Sequence, residues 1–107
     1  MIPVNTYLGF IDVYGSFDYA WHSLAEMIAA MGSTIPPGAS GARIQAHAPL
    51  GFSQAPDAVA SNPFITPIIL ADGATLELFD AEQLQQLRIY DDGAYFSVQF
   101  YAYPAIP

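Results

Sequence analysis

His22 and His47 are the only imidazoles in a chain of 107 residues that has no cysteine and ten acidic residues, so acid-base, metal or nucleophile chemistry would have to be built from these groups. Two histidines and a carboxylate can hold a metal ion, but here the histidines lie far apart in sequence and no H-x-x-x-H spacing puts two ligands on one helix face. Paired carboxylates can serve as acid and base in glycoside hydrolysis, and the candidate pairs are Asp12 with Asp18, Glu77 with Asp80, and Asp91 with Asp92. Asp72, Asp80, Asp91 and Asp92 all fall at turn or cap positions, where an Asp side chain satisfies free backbone amides. Calcium at the Asp91-Asp92-Gly93 tip would need the spaced oxygen ligands of an EF-hand loop, which are missing. There is no Gly-rich phosphate loop and no G-x-S-x-G elbow. The residues therefore predict a chain that is not an enzyme, with no metal, no cofactor and two histidines acting as polar surface groups.

A different chemistry, the burial of rings against a partner, fits the composition better. In YFSVQFYAY, Tyr95 to Tyr103, a two-residue period puts Phe96, Val98, Phe100 and Ala102 on one face and Tyr95, Ser97, Gln99, Tyr101 and Tyr103 on the other. The first face suits a core. The second carries much ring area and little charge, and Tyr and Trp are residues that interfaces favour. Tyr19 and Trp21 add to an aromatic cluster in the first fifth of the chain. The expected interface is thus Tyr95, Gln99, Tyr101, Tyr103, Trp21 and Tyr19.

The elements that must position these groups are short. Tyr7 to Tyr14 is β-branched and aromatic and ends at Gly15-Ser16, which predicts a strand. Ser23-Leu24-Ala25-Glu26 fits a capping box, and Leu24, Met27, Ile28 and Met31 then recur at helical spacing up to Gly32. Past the turn-rich PPGASG, Ala42 to Ala48 alternates as a strand with Arg43, Gln45 and His47 outward. Pro49 to Pro63 predicts a long surface loop with short extended pieces, and Pro67 confines Phe64 to Leu70 to a sheet edge or a bulge. Asp72-Gly73 and Asp91-Asp92-Gly93 signal tight hairpin turns. Between them lie a strand, Thr75 to Phe79, one capped helical turn from Asp80, and extended chain at Arg88 to Tyr90. The pattern predicts a single all-β domain, an antiparallel β-sandwich or barrel of jelly-roll type with one short α-helix.

Composition narrows the partners. The charged fraction is 11%, against about 25% in ordinary soluble domains, and the net charge is −8 with Arg43 and Arg88 as the only basic residues. Nucleic acid is excluded as a partner, because phosphate binding needs clustered Lys and Arg. No basic and apolar signal-peptide pattern opens the chain, and the longest apolar run, PFITPIILA, is far short of the ~20 residues of a membrane-crossing helix.

From Ser23 onward the order of motifs resembles that of small structural proteins of tailed bacteriophages. Members of that group run from an SL..LL...IP.GA segment into an A.IQAE strand, through a loop to a..L.AG..LEL....L..LRFI segment, and close on A.L.V.YY. The matching pieces here are Ile35-Pro36-Pro37-Gly38-Ala39, Ala42-Arg43-Ile44-Gln45-Ala46, Leu70-Ala71-Asp72-Gly73 with Thr75-Leu76-Glu77-Leu78, Leu84 with Leu87-Arg88-Ile89, and Ser97-Val98-Gln99-Phe100-Tyr101. Where the group often carries a basic R.RDDG..PT run, this chain has GFSQAPDAVASNPFITPI without arginine, and its first 22 residues, expected as an N-terminal strand or arm, have no counterpart. The resemblance implies a non-catalytic virion component, assembled in the host cytoplasm, whose partners are other virion proteins. Because a chain at −8 is repelled by packaged DNA, the expected role is decoration or cementing on the outer capsid surface, with the major capsid protein and further copies of itself as partners. A tail or neck component and a carbohydrate-binding module that uses exposed aromatics are the alternatives.

Overall fold

The computed structural model describes residues 6–54 and 68–102. The alternation in the last segment becomes an eight-residue strand whose even positions, Phe96, Val98 and Phe100, are wholly buried. Eight strands form among the described residues: β1 (Thr6–Tyr14), β2 (Trp21–Ser23), β3 (Gly41–Ala46), β4 (Leu50–Ser53), β5 (Ile68–Leu70), β6 (Thr75–Leu78), β7 (Arg88–Tyr90) and β8 (Tyr95–Ala102). They pair antiparallel in two four-stranded sheets, ordered β1-β8-β3-β6 and β2-β7-β4-β5. The first strand lies beside the last, the second beside the seventh, the third beside the sixth and the fourth beside the fifth, so the chain is one long hairpin folded over and rolled. This nesting is the jelly-roll form of the all-β sandwich.

The inner face of the first sheet supplies much of the core. Val13 faces Phe96, which faces Ala46, and Ile11, Val98, Ile44 and Leu76 form the next rung. Ile89 and Leu50 bring the second sheet onto this core. Two short helices add Leu24, Met27, Ile28 and Leu84 to it: α1 (Leu24–Ala30), which packs on β1 and β2, and α2 (Ala81–Gln86), which packs on β3 and β6. The Ser23 capping box forms as its sequence signals, with the Glu26 amide donating to Ser23 Oγ and the Ser23 amide to Glu26 Oε1, both at 3.1 Å. Ser23→Ala is expected to cost about 1 kcal/mol of unfolding free energy, measured by urea denaturation. No helix among the described residues is long and apolar enough to cross a membrane.

Four expectations need correction. Asp72-Gly73 and Asp91-Asp92-Gly93 are not hairpin turns; each carries the chain from the second sheet to the first, because nested pairing places consecutive strands in different sheets. After Pro49, where a surface loop with short extended pieces was expected, the extended piece is β4, a largely buried interior strand with β5 and β7 on either side. A second helix among the described residues, α2, extends the single turn expected after Asp80 to six residues, capped by Asp80 through the Gln83 amide. Met31 is exposed rather than part of the apolar helix face, since α1 ends one residue before it. The edge position of β5 agrees with the proline signal, although Phe64 to Pro67 lie outside the described residues.

Candidate functional site

The outer face of the first sheet is assembled from side chains that alternate with the core set. Cross-strand pairing lines them up in four rows: Tyr7 with Tyr101; Phe10, Gln99, Arg43 and Glu77; Asp12, Ser97, Gln45 and Thr75; and Tyr14 with Tyr95. Aromatic rows thus border a polar middle. Tyr14 stacks on Tyr95 with ring centroids 4.6 Å apart, His47 leans on Tyr95 at 4.7 Å, and Tyr7 meets Tyr101 edge-on at 5.9 Å. Tyr7, Phe10 and Tyr14 remain 56%, 51% and 57% exposed. Arg43 forms an ion pair with Glu77. A shallow depression of about 250 Å³ runs over Phe10, Arg43, Gln45, Thr75, Ser97 and Gln99.

The polar middle is closed on itself. Ser97 Oγ donates to Asp12 Oδ1 at 2.6 Å, and His47 Nε2 lies 2.5 Å from the same hydroxyl. Since the Ser97 proton goes to the carboxylate, His47 Nε2 must be a donor here. A serine nucleophile needs the opposite arrangement, with an imidazole lone pair taking the hydroxyl proton. The chain Asp12, Ser97, His47 therefore anchors β1 to β8 and the segment after β3, and does not activate the hydroxyl.

A second cluster lies at the corner where the loop between β1 and β2 meets the turn after β7. Asp91 is buried, and its carboxylate accepts from the amides of Ser16 (2.8 Å), Phe17 (3.2 Å) and Gly93 (3.3 Å) and from the Ser16 hydroxyl (3.2 Å). Burial pushes this carboxyl up, but the Ser16, Gly93 and Phe17 amides outweigh it and hold the group below its ordinary value. Two glycines make room: a Cβ at Gly15 would sit 2.0 Å from Asp91 Oδ1, and one at Gly93 would sit 2.2 Å from the Phe17 ring. Phe17 and Tyr19 adopt left-handed backbone angles, φ 60° and 56°, at a cost on the order of 1 kcal/mol each. Between them, Asp18 meets His22 Nε2 at 2.5 Å, while His22 Nδ1 lies 3.6 Å from Glu26 Oε2. Burial lowers the His22 pKa, but the hydrogen bond and charge of Asp18, then those of Glu26, outweigh it, so the net shift is upward. The histidines read from sequence as ordinary polar surface groups are thus both held by specific partners, and His22 stands in a cleft beside carboxylates.

The expected interface residues divide among three places. Tyr95, Gln99 and Tyr101 do share the outer face but are half-buried by their own neighbours, and the Tyr101 hydroxyl donates to Gln99 Oε1. Tyr19 is exposed on the corner loop. Trp21 sits on β2 in the other sheet, edge-on to Tyr90 at 5.5 Å, with its indole nitrogen buried and unpaired. Tyr103 lies outside the described residues. The most exposed rings of the outer face come instead from β1. Its Phe10, Asp12, Tyr14 alternation was visible in the sequence, but a bulge between Tyr7 and Gly9 breaks the period, and only pairing with β8 shows that both ends face outward. Of the paired carboxylates, Asp12 is bound to Ser97 and Asp18 to His22 and the Ala20 amide. In comparisons with known proteins, no family model, no curated protein and no solved structure matches this chain.

Proposed function

We propose that this chain is a non-enzymatic structural subunit of a bacteriophage particle, docked on a protein neighbour through the outer face of its first sheet. The observation that carries the reading is the set of half-exposed rings, Tyr7, Phe10 and Tyr14, on a sheet face whose ionic groups are few and largely paired. Such a face matches the composition of interfaces, where aromatics are enriched and charges depleted toward the centre. The order of sequence motifs supports a virion setting, and the net charge of −8 favours the outside of the shell, away from packaged DNA. Decoration of the capsid, with the major capsid protein as partner and copies of this chain as neighbours, is the specific role proposed; a tail or neck position is the alternative. Jelly rolls build viral capsid and lectin domains alike, which is support by fold analogy alone.

The test is sedimentation of the purified chain with particles that lack it, alongside size-exclusion chromatography with light scattering. Saturable binding at a fixed ratio to the shell subunit is expected. A monomer that never sediments with particles or their parts would remove the proposal.

Glycan binding is a second reading, favoured by the depression in which the Phe10 ring borders Gln45, Gln99 and Thr75. A ring beside amides and hydroxyls can stack on a sugar and bond its hydroxyls. A glycan array decides it: hits lost in Phe10→Ala would support this reading, and a blank array would end it.

A further inference from the structure

The structure assigns a divalent transition-metal site to the corner cleft, with His22 Nε2 and the carboxylates of Asp18 and Asp91 as ligands. One ring nitrogen of His22 and one carboxylate oxygen of each aspartate lie within 4.8 Å of one another, and Nε2 is the nitrogen that meets Asp18. Around a tetrahedral ion at 2.0 to 2.2 Å, donors stand roughly 3.4 Å apart, so side-chain rotation of about an ångström converts the cluster into a coordination shell. Asp18 and His22, now in contact at 2.5 Å, would part to admit the ion. Asp18, exposed on the corner loop and accepting from the Ala20 amide through its other oxygen, is the partner that would move, whereas Asp91 is fixed by three amide donors.

Three features favour an ion over a simple ion pair. The histidine presents Nε2 to Asp18 and turns Nδ1 toward Glu26 Oε2 at 3.6 Å, where a small closing movement would let the carboxylate orient a ligating imidazole through its other nitrogen. Glu26 is itself fixed, because the Ser23 amide of the capping box donates to its other oxygen. The cleft is open, about 240 Å³, and contains Ser16, whose hydroxyl can swing off Asp91 and offer a fourth oxygen. Finally, three carboxylates surround one imidazole, and among the described residues neither arginine lines the cleft, so negative charge is in excess there. A mixed imidazole and carboxylate donor set suits zinc and its first-row neighbours, and suits calcium, which takes oxygen ligands, less well. Bound there, the ion would tie the corner loop, β2 and the end of β7 together. This inference is independent of the docking face.

The test is calorimetric titration of the full chain with Zn²⁺, with Ca²⁺ for comparison, and thermal unfolding with and without Zn²⁺. One site is expected, with a saturable rise in Tm and weaker binding of Ca²⁺. Asp18→Asn and His22→Gln should each weaken Zn²⁺ binding at least about tenfold, and Glu26→Gln, which can still cap the helix, by about tenfold as a loss of orientation. His47→Gln should leave binding unchanged. Co²⁺ should give a visible absorption band that disappears in His22→Gln. Asp18→Asn lies on an exposed loop and keeps the test valid if His22→Gln fails to fold. No heat or Tm change up to about 1 mM Zn²⁺ overturns the site. Binding that survives Asp18→Asn in full places the ion elsewhere and overturns it equally.

Discussion

Tyr7→Asp combined with Phe10→Asp is expected to weaken docking on the particle by roughly a thousandfold. Buried aromatic anchors at the centre of an interface contribute about 2 kcal/mol or more each, and the two rings lie in neighbouring rows of the same sheet face. Each Asp would also carry a charge into a contact that excludes water. The free chain should be much less affected, because both rings are more than half exposed and neither belongs to the core. Tyr7 gives up an edge-on contact with Tyr101, for which about 1 kcal/mol is a fair allowance. Particle sedimentation together with urea denaturation of the free variant separates the two effects. Undiminished binding by a folded double variant would show that this face is not the one that docks.

Asp91→Ala is expected to be among the more damaging single changes in the chain, lowering unfolding free energy by roughly 2 to 3 kcal/mol through the hydrogen bonds to a charged acceptor that it removes. The substitution removes the acceptor for three backbone amides and one hydroxyl, which converge on a buried carboxylate from a part-buried corner. Those donors hold the loop that carries the left-handed Phe17 and Tyr19, so the strain stored there loses what balances it. Tyr19 and Asp91 are also joined through backbone, the Tyr19 amide to the Asp91 carbonyl at 2.8 Å and the Asp91 amide to the Ala20 carbonyl at 3.0 Å. Asp92→Ala, one residue away and exposed, is the control and should stay within about 0.5 kcal/mol. Equal effects of the two substitutions on the urea midpoint would refute the corner assignment. Because of this structural role, Asp91 is a poor residue with which to test metal binding, and Asp18 and His22 are the informative ones.

Local rules set much of this protein within a few residues of chain. The Ser23 and Glu26 cap, the even-numbered core face of β8, the outward Arg43 and Gln45 of β3 and the edge position of β5 all follow from interactions that span at most a strand or a helical turn. Partner choice does not. An Asp-Gly turn reverses the chain in the same way whether the next strand stays in its sheet or crosses to the other, so the two predicted hairpins proved to be corners. β1 and β8 come from opposite ends of the sequence, and only their pairing turns Tyr7, Phe10 and Tyr14 into one face with Tyr95 and Tyr101. Asp18, His22 and Asp91 likewise belong to a loop, a strand and the turn after β7, so no spacing motif could announce them. Backbone periodicity and capping act between near neighbours and can be read directly, whereas the proximity of distant side chains depends on how the long hairpin folds over, which is a choice made by the whole core at once.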